Sequence, residues 1–367
     1  MAAPQHDSIP VWTWLLPALA ALLVLLKLVG VAPQDWISVQ ILAGVLLGGS
    51  VFAAVHHAEI LALKLGEPFG SILLAIAVTV IEVGLIIAIF LSGSSGSETV
   101  ARDTVFSAVM IVLNGIVGLC LVLGAGRHLV QVFQLQGAAA ALNVLGPLAI
   151  LTMVLPNFTF TVQGPYYSTF QLEFVAVCSL VLYGLFVFVQ TVRHRDYFLD
   201  ALPDAAADEI PAAKPPGKVT AVSAVFLPLA LAAVVFLAKL LSHPVEEAVN
   251  ALGLPRTVVG VVIAIIVMLP EGLASVRAAV ANRLQNALNL ALGSSIASIG
   301  LTIPTLAAVS LIWDRELVLG LSEGNMVLLL LSLFMSAQTL STGRTTVLQG
   351  GVHLVIFAVF LMIAASP

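Results

Sequence analysis

The chain has 367 residues, of which 60% are hydrophobic and 9% are charged. A soluble globular domain carries about 25% charged residues, so this composition excludes an ordinary soluble protein. The formal net charge of −5 is small and gives no basic surface for nucleic acid. Apolar runs of about 20 residues, without the two-residue rhythm of a membrane barrel, predict an all-α polytopic membrane protein.

About eleven apolar segments follow one another along the chain, and each is long enough to span a bilayer as a helix. They lie near residues 11–32, 36–58, 69–92, 104–124, 142–161, 169–192, 219–241, 257–278, 286–312, 317–340 and 346–365. The first is too long for a signal peptide and lacks a basic region before it, so it is interpreted as a retained helix. The fifth is interrupted by Pro147 and Pro156. The polar stretch 193–218 is the one sizeable linker.

The distribution of Lys and Arg predicts a cytoplasmic N-terminus. With that orientation, nine of the 14 basic residues lie on the inner side, which agrees with the positive-inside rule. The nine are Lys64, Arg127, Arg193, Arg195, Lys214, Lys218, Arg277, Arg283 and Arg344. The linker is then cytoplasmic as well.

Two stretches resemble each other and end in a glutamate inside an apolar segment. GEPFGSILLAIAVTVIEVG (66–84) contains Glu82, and GLPRTVVGVVIAIIVMLPEG (253–272) contains Glu271. Both begin with Gly-x-Pro and continue with a β-branched apolar run. A segment rich in small residues follows each of them. The similarity predicts an internal repeat.

The repeat predicts one extra N-terminal helix (1–35), a first five-helix repeat (36–192), a cytoplasmic acidic linker (193–218) and a second five-helix repeat (219–367). Because five is odd, the second repeat enters the membrane from the opposite side. Inverted-topology repeats are typical of secondary transporters, whose binding site lies at the repeat interface near the midplane.

The two glutamates are the candidate cation and proton ligands. An ionisable side chain near the centre of a membrane helix costs about 2.5–3.5 kcal/mol, so it is a functional candidate by default. The alternative is a neutral, hydrogen-bonded Glu that only holds helices together. Matched positions in two repeats favour a cation site. Pro270 removes a backbone donor, so we expect the helix to kink or open just before Glu271.

Other polar residues are weaker candidates. Hard cations such as Ca²⁺ want six to eight oxygen ligands, and Asn114, Ser294 and Ser295 are candidates to supply some of them. The small residues around them also suit close helix packing. Glu323 and His353 are candidates for a proton route, although a packing or interfacial role is the more common one for such residues.

The linker is acidic, with an Asp at every fourth position: Asp196, Asp200, Asp204 and Asp208. On a helix these side chains would form one stripe, which Pro203 interrupts. The stretch is either a solvated acidic loop or a cytoplasmic cation-sensing segment. The two cysteines fall in apolar segments and imply no disulfide.

Four segments carry a family resemblance: HHAEILALKLGEPFGS (56–71), TVIEVG (79–84), LPEGLASVRAAVANRLQNALNLALGSSIASIGLTIP (269–304) and STGRTTVLQGGVHL (341–354). They resemble bacterial calcium/proton antiporters of the ChaA type, in the calcium/cation antiporter superfamily. The resemblance implies eleven helices, one plus two inverted repeats of five, in the bacterial inner (plasma) membrane. It also implies that Glu82 and Glu271 bind cation and proton alternately. We expect no cofactor, and as partners only cations, protons, membrane lipid and, in a homo-oligomer, further copies of the chain.

The chain departs from the family pattern next to both glutamates. The family has Asn three residues before each Glu, where this chain has Thr79 and Met268. Gln349 stands where many relatives have a Glu. Fewer oxygen ligands leave room for Na⁺ or K⁺ as the transported ion.

The resulting hypothesis is alternating-access exchange of cytoplasmic Ca²⁺ for protons. One Ca²⁺ or two protons neutralise two carboxylates equally well, so the two compete. One alternative is Na⁺(K⁺)/proton antiport on the same site. Another is an intramembrane enzyme acting on a lipid phosphate, but that chemistry needs a basic clamp beside the glutamates, and the basic residues lie near segment ends. The chain is therefore predicted not to be an enzyme.

Overall fold

The computed structural model describes residues 9–30, 36–66, 69–90, 97–200 and 214–366. Its helices are α1 (Val11–Leu28), α2 (Ile37–Leu65), α3 (Phe69–Phe90), α4 (Ser97–Met110), α5 (Val117–His128), α6 (Leu135–Met153), α7 (Thr169–Phe188), α8 (Gly217–Ala251), α9 (Thr257–Val280), α10 (Leu284–Trp313), α11 (Glu323–Leu340) and α12 (Val347–Ala365). A π-helical segment, Ile111–Ile116, joins α4 and α5 into one span. The described ranges thus hold 11 helical spans long and apolar enough to cross a membrane, which confirms the predicted all-α class.

The remaining regular structure is short. Single helical turns cover Leu155–Phe158, Val189–Arg193 and Arg195–Phe198. Two strands, β1 (Gln131–Val132) and β2 (Arg344–Thr345), pair antiparallel. They connect the loop after α5 to the loop before α12.

Two predicted spans are shifted along the chain. The fifth was expected at 142–161, but α6 already begins at Leu135 and ends at Met153. Pro147 is accommodated inside this helix. Pro156 starts a separate short turn after it, because proline cannot donate the next helical hydrogen bond and disfavours helix in the residue before it.

The tenth span was expected from 317 but begins at Glu323. The residues before it form a buried, extended segment whose backbone is satisfied by other parts of the chain. The N–H groups of Leu319 and Gly320 donate to the carbonyl of Pro165, and that of Leu321 donates to Met153. A buried backbone needs such partners, and these were invisible in the local hydropathy.

Nearby, the Tyr167 hydroxyl donates to the carbonyl of Leu151. Burial raises the pKa of the Tyr167 phenol, because loss of water disfavours the phenolate. Tyr167 therefore stays neutral and acts as a donor that fixes the loop between α6 and α7.

The helices form two compact units by packing. The first contains α1, α2, α3 and α8. Here α2 packs against α1, α3 and α8. His57 is fully buried among them, with Nδ1 3.1 Å from Ser223 Oγ and Nε2 3.1 Å from the carbonyl oxygen of Thr13. Since a carbonyl only accepts, Nε2 donates to Thr13, and the imidazole ties α1 to α2 and α8.

The second unit contains α4 to α7 and α9 to α12. Its centre is the π segment Ile111–Ile116, which is buried along its whole length. The segment contacts α9, α10, α11 and α12. A π turn adds a residue to the helix and is frequent at functional sites. Here it places Asn114 at the centre of the unit.

Helix α12 approaches α5 closely because glycines face each other. A Cβ on Gly350 would lie 2.7 Å from the backbone nitrogen of Val122 and 2.8 Å from the carbonyl oxygen of Gly118. A Cβ on Gly118 would meet the His353 side chain at 3.1 Å. Small residues at such crossings let helix backbones pack tightly in membranes.

Gly350→Ala is expected to destabilise the protein by about 1–3 kcal/mol, the usual cost of forcing extra atoms into a packed interior. The clash is with backbone, which cannot rotate away. Gly351→Ala is the matched control, because nothing lies within 4 Å of a Cβ there, and alanine favours helix over glycine by about 1 kcal/mol. Denaturant titration in mixed micelles measures both. Equal stability of the two variants would contradict the close approach of α12 and α5.

The packing units are not the sequence repeats, since α8 packs with α1, α2 and α3. The division into residues 1–35, 36–192, 193–218 and 219–367 stays a prediction. Half of the linker, including Asp204 and Asp208, lies outside the described residues, as does Pro68 of the first Gly-x-Pro sequence.

Candidate cation-binding site

Glu82 lies in the middle of α3 in the first unit, and only 2% of it is exposed. Thr79, one turn earlier on the same face, is also buried. The helix is held tightly here, because a Cβ on Gly84 would lie 2.4 Å from the Val235 side chain of α8. The carboxyl group therefore lies in a largely dry position, where burial disfavours its charged form relative to a form neutralised by a cation or a proton.

Glu271 lies in α9 in the second unit and is 7% exposed. The helix was expected to kink or open before it; it does not open, because α9 is continuous from Thr257 to Val280, and a kink at Pro270 stays a prediction. Proline still has no N–H to donate, so the carbonyl of Ile266, four residues before Pro270, lacks its usual helical donor. The sequence predicted the missing donor but not that packing would keep the helix intact.

Buried side chains flank Glu271 along one face of α9. Met268 and Ser275, one turn on either side of Glu271, are buried. The Ser275 hydroxyl has no hydrogen-bond partner among the described residues. Positions four apart on a helix share a face and lie about 6 Å apart along the axis. Ser275 thus carries a buried neutral oxygen one turn from Glu271 on the same face of the helix.

The two serines predicted on α10 behave differently. Ser294 Oγ lies 3.8 Å from the sulfur of Met268, so its hydroxyl faces α9 at the position where the family pattern has Asn. Ser295 is fully buried, and its hydroxyl has no hydrogen-bond partner in the described ranges. An orphaned buried hydroxyl is costly unless something binds to it. Ser295 is therefore the stronger oxygen candidate of the pair.

Asn114 is fully buried in the π segment and is held from two directions. Its Nδ2 donates to Ser332 Oγ at 2.8 Å, and its Oδ1 lies 3.1 Å from His353 Nδ1. His353 Nε2 lies 3.1 Å from Thr339 Oγ1. The segment packs against α9 next to Glu271, since a Cβ on Gly272 would lie 3.2 Å from the side chain of Ile116.

The two predicted proton-route residues are not brought together. Glu323 is exposed at the N-terminal end of α11. His353 is fully buried in α12, and its ring nitrogens face Asn114 and Thr339. A proton route through both side chains stays a prediction.

Sequence reasoning did not identify several buried polar residues near the glutamates and Asn114 as candidates. Thr79 was noted only as a departure from the family pattern, and Ser275 was not considered; both could have been found, because they lie three residues before Glu82 and four after Glu271, on the same helix faces. Ser332 and Thr339 gave no such signal. They lie more than 200 residues from Asn114, which is brought to Ser332 by tertiary packing alone.

The described start of the linker does not form the predicted acidic stripe. Asp196 is in a short 3₁₀ turn, Arg195–Phe198, while Asp200 follows in non-helical backbone and pairs with Arg283 at 3.1 Å. The two carboxylates therefore share no helix face. A cation-sensing role for the linker stays a prediction, because its other acidic residues are outside the described ranges.

The described residues hold 11 helices able to span a membrane and two buried mid-helix glutamates, and the comparisons specify the class of the protein as a cation/proton antiporter. The sodium/calcium exchanger protein family matches residues 36–192 and 222–365. The chain therefore belongs to that family, which consists of transporters and not enzymes.

Individual relatives agree with this assignment. The protein y4hA of Sinorhizobium fredii is 53% identical over 99% of this chain and 98% of its own length. The sodium-potassium/proton antiporter ChaA of Escherichia coli is 35% identical over 89% of this chain and 88% of its own. A Ca²⁺/H⁺ antiporter of Aphanothece halophytica is 25% identical, with 82% and 83% covered. The predicted resemblance to ChaA-type antiporters is confirmed.

A solved structure supports the fold. The native structure of YfkE superposes with a TM-score of 0.73 at 16% identity, covering 96% of this chain and 99% of that one. The alternative of an intramembrane enzyme, weighed from the sequence, is set aside by the family match and by the ChaA relative, because that family consists of transporters.

Proposed function

We propose that the chain exchanges cytoplasmic Ca²⁺ for protons by alternating access, with Glu82 and Glu271 binding cation and proton in competition. The observation that carries this proposal is the burial of both carboxyl groups in mid-helix, at 2% and 7% exposure. A carboxylate at such a position is expensive unless it is neutralised. Each group thus favours a bound cation or a bound proton over an empty charged state.

Charge balance supports Ca²⁺ as the exchanged ion. Two carboxylates carry two negative charges, which one Ca²⁺ or two protons cancel. A transporter that changes conformation only when neutralised then couples the two flows. Buried hydroxyl oxygens one turn from each glutamate, from Thr79 and Ser275, and that of Ser295 on α10, are candidate hard ligands of the kind that Ca²⁺ prefers. The Aphanothece relative is named as a Ca²⁺/H⁺ antiporter.

A second candidate is Na⁺ or K⁺ in place of Ca²⁺. It is favoured by the sulfur of Met268, which stands one turn before Glu271 and lies 3.8 Å from the Ser294 hydroxyl. A thioether is a poor ligand for a hard divalent ion. The more similar relative ChaA is named as a sodium-potassium/proton antiporter. The same carboxylates would serve either ion.

The remaining parts of the proposal concern placement in the cell. We place the chain in the bacterial inner membrane, with its N-terminus and the 193–218 linker in the cytoplasm, on the positive-inside bias. We also propose that the five-span halves are inverted repeats. Accessibility labelling of single cysteines in the linker, in whole cells and in everted vesicles, tests this orientation.

The ion is tested in everted membrane vesicles with an imposed proton gradient. Adding CaCl₂ is expected to release protons in a saturable manner, whereas NaCl and KCl added at the same ionic strength are expected to release fewer. A stronger response to Na⁺ or K⁺ than to Ca²⁺ would establish the second candidate instead. Absence of any response above that of vesicles without the protein would contradict both.

A further inference from the structure

The Asn114 amide is held by hydrogen bonds at both its nitrogen and its oxygen. Asn114, Ser332 and His353 are all fully buried, and Thr339 is nearly so. They come from the π segment, α11 and α12. The four side chains form one continuous hydrogen-bonded chain, Ser332–Asn114–His353–Thr339.

The directions of these hydrogen bonds follow from the groups themselves. An amide oxygen only accepts, so His353 Nδ1 must carry the proton that bonds to Asn114 Oδ1. In a neutral imidazole the other nitrogen then accepts, and the Thr339 hydroxyl donates to it at 3.1 Å. On the far side, Ser332 Oγ accepts from Asn114 and donates to the carbonyl of Leu328 at 2.7 Å. Every member has a partner with the imidazole uncharged.

Helix packing is what lets the imidazole reach the amide. The facing glycines Gly118 and Gly350 bring α12 against α5, and Gly118 directly adjoins the Cβ of His353. Phe357, one turn further along α12, packs over Gly115, where an added Cβ would lie 3.4 Å from the phenyl ring. The position of the His353 ring is therefore restricted by packing of its Cβ against Gly118 and by hydrogen bonds at both ring nitrogens.

We infer that His353 is a positioning residue for cation binding, acting through Asn114, and does not itself carry the transported proton. This inference rests on the proposed function. An amide oxygen has two lone pairs, and His353 occupies one of them. The other remains for a cation, held in a fixed direction beside the Glu271 segment of α9. Partners that orient a metal ligand typically contribute about 10- to 100-fold to metal affinity.

The test uses purified protein in proteoliposomes, with proton flux followed as CaCl₂, NaCl or KCl is titrated. His353→Leu removes the donor to Asn114 and is expected to raise the half-maximal concentration of the exchanged cation about tenfold or more, with the maximal flux retained. His353→Asn places an amide N–H near the position of Nδ1 and is expected to restore most of the affinity. Ser332→Ala releases the amide from its other side and is expected to weaken binding in the same way.

A double-mutant cycle separates positioning from general damage. If His353 acts through Asn114, His353→Leu should cause no further loss of affinity in an Asn114→Ala background. His57→Leu is the matched control: it also removes a buried histidine with two hydrogen bonds, but its partners, Ser223 and Thr13, are not candidate cation ligands. It is expected to leave the half-maximal cation concentration unchanged. Gel filtration in detergent reports whether each variant folds.

Several results would overturn the inference. Unchanged cation affinity in both His353→Leu and Ser332→Ala would show that cation binding does not depend on how the Asn114 amide is oriented by these two residues. Loss of maximal proton flux at saturating cation would make His353 a proton carrier. Equal defects in His353→Leu and His353→Asn would remove the role of the Nδ1 donor. Failure of the proposed function looks different, because the wild-type protein would then show no cation-dependent proton flux at all.

Discussion

Glu271→Gln and Glu82→Gln are each expected to reduce cation-driven proton flux to the level of protein-free vesicles. Glutamine keeps the shape of the side chain but carries no charge, and its amide neither gains nor loses a proton near neutral pH. Both positions are buried in mid-helix, so solvent cannot replace the lost carboxylate. Flux is measured in proteoliposomes with the cation that the wild-type protein exchanges.

Glu173→Gln is the matched control for these variants. It makes the same chemical change at an exposed position in α7 and is expected to leave flux unaltered. Gel filtration of each variant shows whether it is folded, so that a loss of proton flux is not mistaken for a loss of folded protein. Wild-type flux in either buried-glutamate variant would remove that residue from the mechanism.

Arg102→Ala is expected to destabilise the protein by about 3–5 kcal/mol, the usual cost of leaving a buried charge without its partner. Arg102 Nη2 lies 2.8 Å from Asp103 Oδ1, and the two side chains are only 14% and 6% exposed. Arg102 Nη1 also donates to the carbonyl of Gly320 at 2.9 Å, so the same substitution releases the buried segment before α11. The free energy of unfolding is measured by denaturant titration in mixed micelles.

The double variant Arg102→Ala/Asp103→Ala shows whether Arg102→Ala loses stability because the Asp103 charge is left unpaired or because the contact of Arg102 with Gly320 is lost. Removing both charges leaves no uncompensated carboxylate, so the double variant is expected to be more stable than Arg102→Ala alone. Arg344→Ala, at an exposed position in β2, is the control for the loss of an arginine and is expected to change stability little. A loss for Arg102→Ala no larger than for Arg344→Ala would show that the ion pair is not structural.

The buried ion pair of Arg102 and Asp103, and the segment before α11 that Arg102 contacts, were not predicted from the sequence. Local hydropathy assigned 317–322 to a membrane helix, because the residues are apolar. In the structure the backbone there bonds to Pro165 and Met153 instead of to itself. An apolar stretch must satisfy its backbone somewhere, but hydropathy alone does not say where. Asp103, likewise, gave no signal that it would be buried beside Arg102.

The candidate site was predictable only in part, because some of its residues are recognisable in a single segment and others are brought in from distant segments. Glu82 and Glu271 were identified because a glutamate inside an apolar segment stands out in the sequence itself. The similarity of the stretches 66–84 and 253–272 then indicated that the two occupy corresponding positions. Asn114 was also found, from the small-residue segment that follows Glu82. Its partners were not, because His353 lies 239 positions away. The residues IVLNGI (111–116) contain no pattern that predicts the π-helical turn in which Asn114 is buried.

The sequence by itself determined the class of protein, the number of spans, the two buried glutamates and the family. The class, the spans and the two glutamates follow from hydropathy, length and spacing along the chain, whereas the family follows from the resemblance of four segments to ChaA-type antiporters. Only the tertiary structure decided that the helix stays intact through Pro270, that the Ser294 hydroxyl faces Met268, and that His353 holds Asn114. Those contacts depend on how closely helices approach one another, which is set by small residues such as Gly118 and Gly350 acting together across distant parts of the chain.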